Sequence, residues 1–363
     1  MERGTRPWAG ALSGLLILTT LLYLPSLFHG YQYEDANWVS RAPPSLDIPS
    51  RWLAMVSHPP YQPVPDHAIN LGLHLLNGTI VFALVRTLGG TAWGLLAAGI
   101  FLLHPFSSAA VLSLSARTDL LMTTGTLLAT WALCWRTPAK WLVYGLAIVG
   151  AALSKELGVV AVLLSAMTIL VWYRIGTVRS SALESSSPVG ALRAPRAGYV
   201  RPWVALSLAQ ILGGAGLGIG WRWLFLTPHA GGSALPPLEY VAYQLGMLWH
   251  LLRLVLWPVG FSLDHDALAL SPGWLVLSGV LTLAAVSTAV LTWRVTPTLA
   301  WAIAWVGLSV APRLLFQTSE FVTESQLYLP MVGISVGLGA AMLALGRPQE
   351  RMRICPPHGC TTR

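Results

Sequence analysis

Long apolar runs separated by short polar breaks make up most of this chain, and within the runs hydrophobic and polar positions do not alternate. A helix needs about 20 apolar residues to cross the hydrocarbon core of a bilayer. Lipid offers no partner to an unpaired backbone, so only helices or closed barrels span it. A barrel would show alternating segments of about ten residues, which these runs are not. They predict spanning helices near 10–28, 67–86, 91–106, 118–135, 141–154, 157–173, 203–225, 273–293, 297–312 and 327–346. A further apolar stretch, 241–258, is interrupted by His250, Arg253 and Pro258 and reads as re-entrant or interfacial, with one more ordinary span as the alternative. The expected fold is all-α and integral to the membrane, with about ten transmembrane helices. Residues 1–346 form one polytopic domain, 175–201 a Ser/Pro/Arg-rich cytoplasmic linker, and 347–363 a basic cytoplasmic tail.

Composition agrees with that pattern. Of 363 residues, 55% are hydrophobic and 10% charged, against about 25% charged in soluble domains. The net charge of +8 would suggest nucleic acid in a soluble protein. Here it fits positive-inside topology and anionic lipid, and no nucleic-acid partner is expected. With the N-terminus in the cytoplasm, Arg86, Arg136, Lys140, Arg174, Arg179, Arg193, Arg196, Arg201, Arg294, Arg347, Arg351 and Arg353 all fall inside. A full span at 241–258 would invert the last of these. Arg3 and Arg6 before an apolar stretch imitate a signal peptide, but no small-x-small cleavage site follows, so the stretch is read as the first span. Cys134 lies in an apolar run and Cys355 and Cys360 in the tail, which is no disulfide framework.

The remaining charges fall on the outer side or its boundary: Glu34, Asp35, Arg41, Arg51, Asp66, Arg117, Asp119, Lys155, Glu156, Arg253, Asp264, Asp266, Arg313, Glu320 and Glu324. A single charge at a helix end snorkels to the surface at low cost. Several cations and acids on one face suit an anionic head group together with an acid or base. Within 67–86, the residues His67, Asn70, His74 and Asn77 share one helical face at 3.6 residues per turn. Such a stripe must face protein or water. It either bonds neighbouring helices or walls a polar cavity.

Two loops carry further candidate chemistry. Glu34 and Asp35 follow the first helix directly, where a carboxylate suits a general base for a hydroxyl; a solvated loop start is the alternative. Asp264, His265 and Asp266 place two carboxylates and an imidazole together, which leaves a divalent cation open beside the reading as a polar loop cap. Cys355, His358 and Cys360 supply only three soft ligands, one short of a structural zinc site.

Several segments together resemble one family. They are Tyr33-Glu34-Asp35, Tyr61-Gln62-Pro63, His67-Ala-Ile-Asn-Leu-Gly-Leu-His-Leu-Leu-Asn77 and Phe101-Leu-Leu-His-Pro105. Then come Ser115-Ala-Arg-Thr-Asp-Leu-Leu121, Leu153-Ser-Lys-Glu156, Trp257-Pro-Val-Gly-Phe-Ser-Leu-Asp-His-Asp266 and Leu327-Tyr-Leu-Pro-Met-Val-Gly333. In this order they resemble the GT-C polytopic glycosyltransferases, closest to the transmembrane O-mannosyltransferases that often carry tetratricopeptide repeats. The repeats are absent here. The resemblance covers nearly the whole chain.

That resemblance implies transfer of mannose or another hexose from a polyprenyl-phosphate donor to an acceptor hydroxyl, with inversion, on the non-cytoplasmic face. It implies that Glu34 and Asp35 supply the base and that Arg117, Lys155, Arg313 and Arg253 hold the departing phosphate. His58, His67, Asn70, His74, His104, Asp119, Glu156 and Tyr328 are expected to line the cavity. The implied partners are membrane lipid, the lipid-linked donor and a protein or glycan acceptor. The implied location is an inner membrane of bacterial type, active face toward the periplasm or exterior and both termini cytoplasmic. No cofactor is required by the family. The chain departs from the family's pattern at Gln62, where arginine is expected, in a shortened stretch between Pro63 and His67, and at Glu324-Ser325-Gln326, where a basic residue is expected. These departures carry the rival expectation, a non-catalytic relative acting as scaffold or lipid-binding protein. A transporter ranks behind both, because repeated halves and mid-membrane acids are not evident.

Overall fold

The computed structural model describes residues 7–30, 63–135, 137–171, 235–259, 270–315 and 324–346. Every regular element among them is helical. α1 (Pro7–Tyr23) continues into a 3-10 turn at Leu24–Phe28. α2 (Pro63–Gly89), α3 (Thr91–Leu103), α4 (Ser108–Leu112), α5 (Arg117–Ala132) and α6 (Ala139–Ser154) follow. α7 (Leu157–Val171) is entered through a 3-10 turn at Glu156–Val159. The rest are α8 (Pro237–Leu256), α9 (Pro272–Thr292), α10 (Pro297–Leu315), a 3-10 turn at Glu324–Leu327, and α11 (Pro330–Gly346). Helices thus stand at each predicted span except 203–225, which lies outside the described residues, as do the linker and the tail.

Pro7–Phe28, Pro63–Gly89 and Pro272–Thr292 are long and apolar enough to cross a membrane. α3 and α4 together would make a fourth span, bent by 56°. α6, α7 and α11 are apolar but shorter. The bend divides what the hydropathy pattern reads as one run. Pro105 brings no N–H, and the residue before a proline is driven out of the helical region; His104 accordingly sits at φ −68°, ψ 129°.

Small residues let the helices approach closely, the packing used where lipid gives no hydrophobic drive between helices. A Cβ on Gly125 of α5 would stand 2.7 Å from the Ala147 carbonyl of α6, and one on Gly333 of α11 would stand 2.9 Å from the Ala302 carbonyl of α10. Buried indoles find acceptors on other helices. Trp93 Nε1 donates to Val336 O at 2.9 Å, Trp305 Nε1 to Leu329 O at 3.0 Å, and Trp301 Nε1 to Thr168 Oγ1 at 2.9 Å. α2, α3, α5, α7 and α11 form the interior. α9 lies at the rim, with Leu283 70% and Leu291 77% exposed.

The segment expected to be broken at His250 and Arg253 is a single helix that ends at Leu256, before Pro258. Its course is informative. Tyr243 Oη accepts from Leu270 N at 3.3 Å, Gly246 O accepts from Trp274 Nε1 at 3.0 Å, and Trp249 Nε1 donates to Thr282 Oγ1 at 2.8 Å. Later residues of α8 meet later residues of α9, so the two run parallel. α8 and α9 therefore start at the same end of the bundle.

Candidate functional site

The polar stripe of α2 is buried, and Asp66 extends it by one residue: Asp66 and His67 are 2% exposed, Asn70, His74 and Asn77 0%. Their partners come from other helices. Arg117, at the start of α5, is fully buried and sends Nη2 to Asp66 Oδ1 at 3.0 Å and to Asp66 O at 2.9 Å, and Nε to Asn70 Oδ1 at 2.9 Å. The Asn70 amide then donates to Val111 O at 3.2 Å and Ser113 O at 2.8 Å, at the end of α4. One arginine and one asparagine thus tie together α2, α4 and α5. Arg117 Nη1 is buried with no hydrogen-bond partner.

A second pair stands on the next interface. Asp119, two residues after Arg117, is 2% exposed. Lys155 caps the end of α6 and places Nζ 2.7 and 2.8 Å from the two Asp119 oxygens. The Lys155 side chain is 14% exposed, that of Arg117 0%. The Glu156 side chain is outside the described set.

One helical turn deeper lies a neutral relay. His74 bonds Leu102 O through Nε2 at 3.1 Å and the Tyr328 hydroxyl through Nδ1 at 2.8 Å. A carbonyl only accepts, so Nε2 carries the proton and Nδ1 accepts from Tyr328. Asn77 Nδ2 donates to Tyr328 Oη at 3.3 Å and to Leu120 O at 3.1 Å. The stripe therefore bonds neighbouring helices. His104 works in the same way at the bend: Nδ1 accepts from Phe106 N at 3.1 Å and Nε2 donates to Val255 O at 2.9 Å, which joins the bend to the end of α8.

These contacts gather the start of α2, the end of α3, the start of α5, the end of α6 and the start of α11 at one end of the bundle. The end of α1 reaches the same region, with the Tyr23 ring 5.4 Å from that of His74. Ion pairs among the described residues join Arg117 to Asp66 and Lys155 to Asp119. Arg313 is buried near the end of α10, and Arg253 is exposed on α8. Glu34, Asp35, His58, Asp264, His265 and Asp266 lie outside the described residues. Asp66 is the site residue that the spacing argument left out of the stripe. Positions 66, 70, 74 and 77 lie on one helical face, and that was its signal. Comparisons with protein-family models, with curated proteins and with solved structures give no match for this chain.

Proposed function

We propose that this protein is a polytopic membrane glycosyltransferase of the GT-C type, with about ten spans. It transfers a sugar from a polyprenyl-phosphate donor to an acceptor hydroxyl on the non-cytoplasmic face. The acceptor oxygen attacks the anomeric carbon. The bond from that carbon to the phosphate oxygen breaks, and the polyprenyl phosphate leaves with the electron pair. The acceptor proton passes to the carboxylate pair Glu34 and Asp35.

The observation that carries this reading is Lys155. It is held at both oxygens of a buried carboxylate yet reaches the surface, at the end of the bundle where α1 also ends. A cation fixed before reaction stabilises charge that develops on a departing phosphate without reorganising. Gly30, the last described residue of the first segment, stands four residues before Glu34. Arg117, fully enclosed, braces α2 against α5 beneath the site as a positioning residue.

A second reading has its own support. Among the described residues two acids meet two cations in ion pairs, so the formal charge of these four is balanced from within, as in a scaffold that binds no anion. The test is sugar transfer from radiolabelled polyprenyl-phosphate mannose by the purified chain in nanodiscs. Wild-type transfer that is lost in the Glu34→Gln, Asp35→Asn double variant supports the enzyme. Equal transfer by both places the base elsewhere, and no turnover by wild type across several donors supports the scaffold.

A further inference from the structure

The proposed reaction gives Arg253 no role. Arg117 and Lys155 are each paired with a carboxylate, whereas Arg253 is exposed and makes no ion pair among the described residues. With His250, three residues earlier and so on the same face of α8, it lines a cavity of about 290 Å3 that Leu270, Ser271 and Trp274 complete. No carboxylate stands among the described lining residues. The wall is fixed to α8: Trp274 Nε1 donates to Gly246 O at 3.0 Å, and Leu270 N donates to Tyr243 Oη at 3.3 Å. Ser271 caps α9, its Oγ accepting from Trp274 N at 3.3 Å, which leaves the hydroxyl proton to be donated elsewhere. The cavity therefore offers a guanidinium, an imidazole and a hydroxyl on a frame that is already built.

Depth in the bilayer selects the ligand. α9 has 21 residues, about 31 Å at the helical rise, against a hydrocarbon core of about 30 Å. A crossing helix of that length puts its first turn, with Ser271 and Trp274, at the headgroup boundary, where indoles gather. The anions met at that depth are lipid headgroups. The planar fork of arginine matches phosphate oxygens through two parallel hydrogen bonds, and no carboxylate occupies it here. The volume stands at the small end of ligand pockets, about 300 Å3, which suits a headgroup and not a whole lipid. We infer that this cavity binds the phosphate group of a membrane lipid, with Arg253 as its counter-charge and the Ser271 hydroxyl as a second donor. The inference does not depend on sugar transfer, because a polyprenyl-phosphate carrier and an ordinary phospholipid both bear this group.

Native mass spectrometry of the delipidated full chain in detergent tests this. Phosphatidylglycerol is set against a monoglucosyl diacylglycerol with the same acyl chains, which has no phosphate. One cation near the surface favours an anionic lipid by about fivefold. Arg253→Gln should therefore weaken binding of the first phosphatidylglycerol by about fivefold and leave the glycolipid unaffected, while Arg253→Lys should keep most of the preference. Arg294, exposed just past the other end of α9, controls for diffuse surface charge, and Arg294→Gln should change that first binding far less. Melting temperatures equal to that of wild type show that the variants fold. Equal phosphatidylglycerol affinity in wild type and Arg253→Gln, or an equal loss in Arg294→Gln, overturns the inference. Equimolar polyprenyl phosphate then separates the two sources. Displacement of phosphatidylglycerol from wild type makes the carrier the occupant, and retention makes it a bilayer phospholipid; a lipid phosphate is the bound group in both.

Discussion

Along α2, the first half buries Asp66, His67, Asn70, His74 and Asn77, whereas the second half buries Ile80, Val81, Phe82, Leu84, Val85 and Leu88. Both halves are enclosed, and by opposite chemistry. In the second half, close packing with α3 suffices, and many aliphatic side chains of similar volume would serve. In the first half Asp66, Asn70, His74 and Asn77 each meet a particular atom on another segment, because a polar group left unpaired inside is costly. That half fixes which helix lies where and how it is rotated. The one cation of the second half, Arg86, instead turns to the surface and covers the Trp8 ring at 4.2 Å from its centroid. Cations near one end of the bundle are locked to carboxylates, and this one near the other end rests on an aromatic ring.

The comparison breaks most sharply at Asp66. Removing one partner of a buried pair leaves an uncompensated charge, which costs about 3–5 kcal/mol. Asp66→Ala is expected to lose that much in a denaturant melt in detergent. Replacing both partners, Asp66→Leu with Arg117→Met, should recover most of it. If single and double variants lose equally, the pair is not the source. Leu84→Ala, in the apolar half, should cost about 2–5 kcal/mol through the cavity it leaves, and no second change at Arg117 should rescue it.

Smaller effects sharpen the contrast. Tyr328→Phe removes the hydroxyl between His74 and Asn77 and should cost about 1 kcal/mol, the scale of hydrogen bonds between membrane helices. The same change at the distant Tyr144, tested in parallel, should cost no more, so a larger loss at Tyr328 would point to cooperativity in the relay. Arg86→Ala removes a partly exposed cation–π contact and should shift stability by about 0.5–1 kcal/mol. A loss as large as that of Asp66→Ala would erase the distinction between the two ends.

Much of the helix layout was legible in hydropathy, because burial in lipid and in a helical core both require runs of apolar residues that can be counted along a line. The face of the α2 stripe was legible as well, from its spacing at 3.6 residues per turn. Its partners were not. Asp66 meets Arg117 across 51 positions and Asp119 meets Lys155 across 36, and the spacing inside one helix carries no trace of such a meeting. The sequence nominated Arg117 and Lys155 as equal phosphate ligands. Enclosure separates them, since Arg117 is sealed by its neighbours and Lys155 at a helix end is not.

The bend at His104-Pro105 shows the division at a single point. Proline makes a break expected there, but the hydropathy of 91–106 runs through it without a mark. Conversely, His250 and Arg253 mark a break in 241–258 that the helix does not have, since both side chains turn to one cavity while the backbone continues. By itself the sequence determined an all-helical chain with membrane-length apolar helices and a polar face on α2, because those follow from the period and polarity of neighbouring residues. The ion pairs, the parallel run of α8 and α9 and the unequal exposure of the two cations were decided only by tertiary structure, because each depends on which distant residue arrives at the same point in space.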